Sequence, residues 1–312
     1  MTMPVLEVEG LSISFTQYDK GVRQRSLPVI RDLDLTIRPG QVVAVVGSSG
    51  SGKSLLAHGI LGILPYNARQ SGSIRYRGEP LTPRRAEELR GREIVLIPQS
   101  VGYLDPLMQV GPQIRKGRRD PASRARSREI LGRYHLGSEV EALYPFELSG
   151  GMTRRVLIST AVVEAPSLVI ADEPTPGLDP RSLHHIMDHF REIADSGAGL
   201  LLITHDLEAA LAIADRVAVF YAGETIEEAP ALDFAAEETL RHPYTRALWR
   251  AMPQHGFQPI PGAQPYPGAA PQGCPFLPRC PRRTAECGSA VPYRPVEGGF
   301  VRCLHPERGA GA

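Results

Sequence analysis

The chain has 312 residues, of which 42% are hydrophobic and 22% charged, and its formal net charge is +1. That is ample length for a globular core, and the near-zero balance excludes a strong overall field for nucleic acid or an acidic membrane. No apolar run reaches the ~20 residues of a membrane-spanning helix, and the opening MTMPVLEVEG lacks a signal-peptide layout, so the sequence reads as cytosolic.

Residues 5–15 and 27–46 read as strands, split by the polar segment TQYDKGVRQR. The last part, QVVAVV, is apolar and β-branched, as a buried strand should be. It runs into GSSGSGKS, residues 47–54, and then into the helix-like LLAHGILGIL. Strand, glycine-rich loop and helix form the setting that a G-x-x-x-x-G-K-[ST] motif requires. Gly47, Gly50 and Gly52 let the backbone curl around Ser48, Ser49 and Ser51, so that successive amides face phosphate oxygens. The helix N-terminus favours an anion. Lys53 puts a compact charge at the β- and γ-phosphates, in a chain that otherwise prefers Arg and has only Lys20 and Lys116 besides. Ser54 offers its hydroxyl to Mg²⁺.

The basic stretch RKGRRDPASRARSR, from Arg115, reads as a solvated helix face, without the interleaved aromatics of a base-stacking surface. In ELSGGMTRRVLISTAVVEAP, residues 147–166, Ser149, Gly150 and Gly151 precede a helical apolar pattern. This is a second helix start with free amides. One phosphate loop already holds one nucleotide, so a second anion-binding end suggests a nucleotide shared between two subunits. SLVIADE, residues 167–173, reads as a buried strand that delivers Asp172 to Mg²⁺ and Glu173 to an attacking water. LLLITHD, residues 200–206, delivers His205 to another strand end, near the γ-phosphate. Ligands of open α/β sheets gather at such carboxyl ends.

GFQPIPGAQPYPGAAPQG, residues 256–273, reads as an extended linker. Beyond it lie all four cysteines, Cys274, Cys280, Cys287 and Cys303. In a reducing cytosol, clustered cysteines favour metal over disulfides. The gaps Cys-x5-Cys, Cys-x6-Cys and Cys-x15-Cys miss the x2 to x4 spacing of structural zinc sites. Two cysteines precede Pro, as at the close of a bacterial ferredoxin motif, and four thiolates suit a [4Fe–4S] cluster. A cluster ranks first, zinc second and unliganded thiols third, with His305 a candidate substitute ligand that ranks below a simple neighbour. The tail reads as a small separate module.

Taken together, these motifs resemble the ATP-binding subunits of ABC transporters over nearly the whole chain. GSSGSGKS resembles the Walker A loop, LVIADE Walker B, LSGGM the signature and TPGLD the D-loop. The resemblance implies an α/β fold: a P-loop NTPase (RecA-like) core with an antiparallel β subdomain, a helical signature subdomain and a Cys-rich C-terminal extension. It places the cassette at 1–250, the helical subdomain at about 99–165 and the linker and extension at 251–312. Gln99 is implied as the Q-loop glutamine, on Mg²⁺ with Ser54 and Asp172. Phe15 is implied to stack on adenine, Asp179 to close the D-loop and His205 to act as the switch histidine. Ser149, Gly150 and Gly151 would reach a partner's ATP. Pro176 and Gly177 depart from the usual D-loop.

Met152, the segment GYLDPLMQVGPQI, HPYTRALWRAMP at 242–253 and CPFLPRCP resemble the branch serving oligopeptide, dipeptide and nickel importers. That implies an ATP-hydrolysing subunit powering import of peptides, nickel or metallophore complexes. Its implied partners are a second ATPase subunit in a head-to-tail heterodimer, two transmembrane permease subunits and an extracytoplasmic solute-binding protein, with no nucleic acid. Its implied place is the cytoplasmic face of the cell membrane. A non-transport ABC ATPase acting on DNA or ribosomes is the alternative. The roughly 120 residues between Lys53 and Asp172 leave no room for a long coiled coil, and there is a single set of ATPase motifs.

Overall fold

A computed structural model describes residues 3–18, 21–48, 50–266 and 272–307. Its two sheets divide the strands by their burial patterns. β1 (Leu6–Tyr18) and β2 (Gln24–Ile37) alternate between buried and more exposed positions. They pair antiparallel, with Tyr18 opposite Gln24, so both strands run into the polar segment that sequence patterning leaves between them. After β3 and α1, β4 (Ala68–Tyr76) and β5 (Glu79–Pro80) complete this sheet in the order β2-β1-β4-β5. One face is apolar and the other wet, as antiparallel sheets allow.

β3 (Val42–Gly47) is buried at every position and leads into α1 (Lys53–Leu61). Past α2 (Pro83–Leu89), the equally apolar β6 (Ile94–Ile97), β7 (Leu168–Asp172), β8 (Gly199–Thr204) and β9 (Arg216–Tyr221) run parallel with it, in the order β9-β3-β8-β7-β6. Continuous apolar runs fit strands covered on both faces. Between β6 and β7 the chain is helical: α3 (Val110–Ile114), α4 (Pro121–Arg133) and α5 (Gly150–Val162). These close a small core of their own around Val110, Ile114, Leu131 and Val156. Asp120 caps α4, and the basic stretch there is partly neutralised, Arg115 by Glu141 at 2.8 Å and Arg118 by Glu164 at 3.0 Å. α6 (Pro180–Asp195) and α7 (Leu207–Leu211) return the chain to the large sheet.

The tail is not a separate module. β10 (Glu224–Pro230) pairs antiparallel with β9, α8 (Pro243–Arg250) follows, and the hairpin β11 (Arg294–Val296) and β12 (Gly299–Val301) adds to β10. The large sheet therefore has eight strands, and its last two come from the cysteine-rich segment. Cys274, Phe276, Cys287 and Val291 belong to the same apolar core as Val42, Val46 and Phe190. Gly273 permits the close pass of this segment: a β-carbon there would lie 2.2 Å from the Cys287 carbonyl oxygen. Arg302 binds the tail to the antiparallel sheet. It is buried, and it donates to the Asp32 carbonyl at 3.0 Å and the Asp32 carboxylate at 3.3 Å. The linker's Pro, Gly and Ala composition hides this docking from sequence reading.

Candidate nucleotide site

Sheet order brings the predicted residues to one edge. Val46 of β3 lies opposite Thr204 of β8, and Asp172 of β7 opposite Ile203. The strand ends thus deliver Gly47 and Ser48, Asp172 and Glu173, and His205 side by side. Gly52 caps α1 at φ 98°, a left-handed conformation that costs a side-chain residue far more. Gly50 and Ser51 complete the described part of the loop, and Ser49 lies outside the described residues.

Lys53 is buried, and its ammonium donates to the carbonyls of Gly47 at 2.8 Å and Ser48 at 3.0 Å. Burial lowers its pKa, while the nearby Glu173 and Asp172 carboxylates pull it back up. Burial raises the Asp172 pKa, and the Ser54 hydroxyl bonded to it opposes that shift. Asp172 Oδ1 and Ser51 Oγ are both buried with no hydrogen-bond partner. Orphaned buried oxygens are rare and call for an occupant. The loop, Ser54 and the free Asp172 oxygen fit a Mg²⁺–nucleotide, with the phosphates on the amides and the cation beside Asp172.

Glu173 leaves the strand at φ 47°, a strained backbone for a residue with a side chain. Its carboxylate lies 2.8 Å from His205 Nδ1. Glu173 is buried, whereas the His205 side chain is 58% exposed. The pair thus combines a shielded carboxylate with a solvent-facing imidazole.

Gln99 is exposed just past β6, and its backbone is fixed by a residue that motif reading missed. Arg154, buried on α5, donates to the Pro98 carbonyl at 2.9 Å and the Gln99 carbonyl at 2.5 Å. The signature helix and the Q-loop are therefore pinned together. Ser149 caps α5, and with Gly150 it is exposed, Gly151 partly so, which leaves this helix end open to an external anion. Asp179 caps α6, accepting from the Arg181 and Ser182 amides at 3.1 Å. Gly177 in the loop before it takes φ 79°. Phe15 on β1 pairs with Leu27 and Ala68 and packs partly buried against the core.

The phosphate loop also meets the C-terminal region. The Tyr244 phenol, on α8, is hydrogen-bonded to the side chain and backbone of Ser48, and the Ser48 hydroxyl also meets the Gln264 side-chain oxygen. Tyr244 is buried among Tyr221 and Phe276, with ring centroids 4.4 and 5.3 Å away. Arg279 lies over Tyr221 and Phe276 and donates to the Tyr221 hydroxyl at 3.0 Å. Glu227 accepts the amides of Arg241 and His242, both at 2.8 Å, and so sets the start of α8. The HPYT motif and CPFLPRCP flagged this region, but not these contacts.

Cys274, Cys280, Cys287 and Cys303 are free thiols that line one small apolar cavity. Burial pushes Cys274 up to about 12 and Cys303 to about 11, so without a cation these thiols stay protonated at neutral pH. Among the described residues no group of three or more His, Cys, Asp or Glu is arranged to hold a metal ion. His305 is bonded to Thr284 at 2.9 Å and lies at the same cavity.

A phosphate loop, an Asp–Glu strand end facing it, a histidine on that glutamate and an exposed signature helix define a P-loop ATPase of the ABC type. The comparisons carry this one step further. The family model described as ABC transporter matches residues 30–176, and that described as Oligopeptide/dipeptide transporter, C-terminal region, matches 226–287. A putative peptide import ATP-binding protein of Brucella abortus (strain 2308) is 36% identical across 97% of this chain and 95% of its own. The oligopeptide transport ATP-binding protein OppD of Salmonella typhimurium is 35% identical across 97% and 94%. A solved ATP-binding subunit of an ABC transporter superposes with TM-score 0.61 at 26% identity, covering 74% of this chain and 91% of that one. The chain belongs to the ATP-binding subunits of ABC transporters, and it is an ATPase coupled to transport. Among the described residues no helix is long and apolar enough to cross a membrane.

Proposed function

We propose that this chain powers a peptide importer. The observation that carries the reading is end-to-end similarity to proteins named for peptide import, with the C-terminal match included. Nickel and metallophore cargo have no such support among these relatives, and neither does work on DNA or ribosomes. The partners are a second, different ATPase subunit in a head-to-tail dimer, two permease subunits and an extracytoplasmic solute-binding protein. The place of work is the cytoplasmic face of the membrane.

In this reading the loop amides and Lys53 hold the β- and γ-phosphates, and Phe15 stacks on adenine. Ser54, Asp172 and Gln99 hold Mg²⁺, which supplies charge neutralisation on the phosphates when bound. Glu173 orients water, with its carboxylate steadied by His205. Ser149, Gly150 and Gly151 close on the partner's nucleotide, and Asp179 fixes the loop that crosses between subunits. Catalysis of this kind is positioning plus charge stabilisation. The test is ATPase turnover of the reconstituted transporter with its solute-binding protein. Stimulation by a peptide-loaded binding protein is expected. Stimulation by nickel alone, with peptides inert, overturns the peptide assignment.

The four cysteines are assigned here to a [4Fe–4S] cluster rather than zinc. What supports this is that all four thiols line one apolar cavity. Packing in the main core makes a structural staple the simplest role. Iron and acid-labile sulfide in anaerobically purified protein are expected, and stoichiometric zinc in colourless protein overturns the assignment.

A further inference from the structure

His242 holds a proton that nothing around it accepts. Its ring is buried at the start of α8, and its Nδ1 accepts the Tyr244 amide at 3.0 Å. An amide only donates, so Nδ1 is bare, and a neutral imidazole then carries its hydrogen on Nε2. Nε2 is buried without a hydrogen-bond partner. The residue lines the cavity where the four cysteines meet. His305 in the same lining is already bonded to Thr284. The four cysteine sulfurs are the side-chain acceptors that share this lining with His242.

We propose that His242 donates its Nε2–H to sulfur-borne negative charge in this cavity, a cysteine thiolate or a cluster sulfide. The occupant is a metal–sulfur cluster held by four cysteines and oriented by one histidine. This rests on the cluster assignment above. The proposal gives the orphaned N–H a partner, which a buried donor otherwise lacks at a cost. It also gives the ring two fixed jobs, Nδ1 on the helix and Nε2 on the cavity. Hydrogen bonds to cluster sulfurs stabilise the reduced, more negative state and raise the reduction potential. Arg282, at the same cavity, is ion-paired with Glu307, which leaves His242 the donor of interest.

The experiment compares anaerobically purified full-length wild type with His242→Asn and His242→Gln. Asn keeps an acceptor near the Nδ1 position and withdraws the donor from the cavity. Gln extends an amide N–H toward the Nε2 position and gives up the helix cap. All three are expected to hold iron and sulfide. The Asn variant should shift the reduction midpoint to more negative values, and Gln should stay nearer wild type with a lower Tm. Equal midpoints for wild type and Asn overturn the donor role and leave the cluster standing. Wild type that holds neither iron nor sulfide, even after reconstitution with ferrous iron and sulfide, overturns the cluster and the donor together. Wild type grown on isotopically labelled histidine gives a reading without substitution: pulsed EPR of the reduced cluster should show coupling to a histidine nitrogen. Absence of that coupling overturns the proposal even if a variant fails to fold.

Discussion

The phosphate loop and the thiol cavity meet the two ends of one short segment, His242-Pro243-Tyr244. His242 lines the thiol cavity, and Tyr244 rests on Ser48 of the phosphate loop. The phosphate site is built from strand ends held by a parallel sheet, so neighbouring motif residues suffice to position it. The thiol cavity is built from a segment with little regular structure, held by aromatic packing around Phe276 and by a hairpin on the sheet edge. Its position depends on contacts far apart in sequence. The first site performs its chemistry through a few exposed or orphaned atoms, and the second lies against the core, with Cys274 and Cys287 buried and Cys280 and Cys303 half-buried.

The largest expected effect lies wholly within the first region. Glu173→Gln removes the carboxylate charge, keeps an amide that can still hydrogen-bond to His205, and spares the loop, Ser54 and Asp172. ATP binding should persist, and turnover of the assembled transporter should fall by about 10²–10³-fold or more, the scale of losing one transition-state group. Undiminished turnover would take Glu173 out of the water-orienting role. If turnover instead fell together with ATP affinity, the Glu173–His205 pair would be holding the loop rather than serving chemistry.

Arg154→Ala tests whether the phosphate site is as self-contained as its motifs suggest. The substitution strands the buried carbonyl of Pro98 and the part-buried carbonyl of Gln99. A hydrogen bond from a charged group contributes about 1.5–3 kcal/mol, so a loss of about 2–3 kcal/mol in chemical denaturation is expected. Turnover should fall about tenfold as Gln99 loses its position. A stability loss with unchanged kcat would limit Arg154 to joining α5 to the core.

The two regions were unequally legible. GSSGSGKS, LVIADE and LLLITHD carry their residues in unbroken apolar strands, and parallel pairing of such strands brings their ends together. What escaped were partners that only tertiary packing supplies. Arg154 reaches back to Gln99 across the helical region, and Glu173 pairs with His205 from a strained backbone angle that no residue preference announces. The cysteines were visible by type, but their spacing and the proline-rich run before them suggested a tethered module. The apolar residues that seat them, Phe276 and Val291, are too sparse to give a period. His242 was visible only as a letter of a motif, and its neutral tautomer needed the Tyr244 amide to be seen.

The smallest expected effect joins the regions. Tyr244→Phe keeps the ring packed against Tyr221 and Phe276 and removes only the hydroxyl at Ser48. One neutral hydrogen bond contributes about 1 kcal/mol, so ATP affinity should weaken roughly threefold to fivefold as the loop loosens, with Tm nearly unchanged. Isothermal titration with ATP reads this directly, and equal affinities would leave Tyr244 a packing residue. The informative version repeats the titration on wild type and variant with the thiol cavity emptied by iron chelation. If His242 and Tyr244 transmit the state of the cavity along the start of α8, emptying it should weaken ATP binding in wild type and have little further effect in Tyr244→Phe. Equal responses in the two proteins would mean that the cavity and the loop share a helix without sharing a signal, because a coupling carried by that hydroxyl cannot survive its removal.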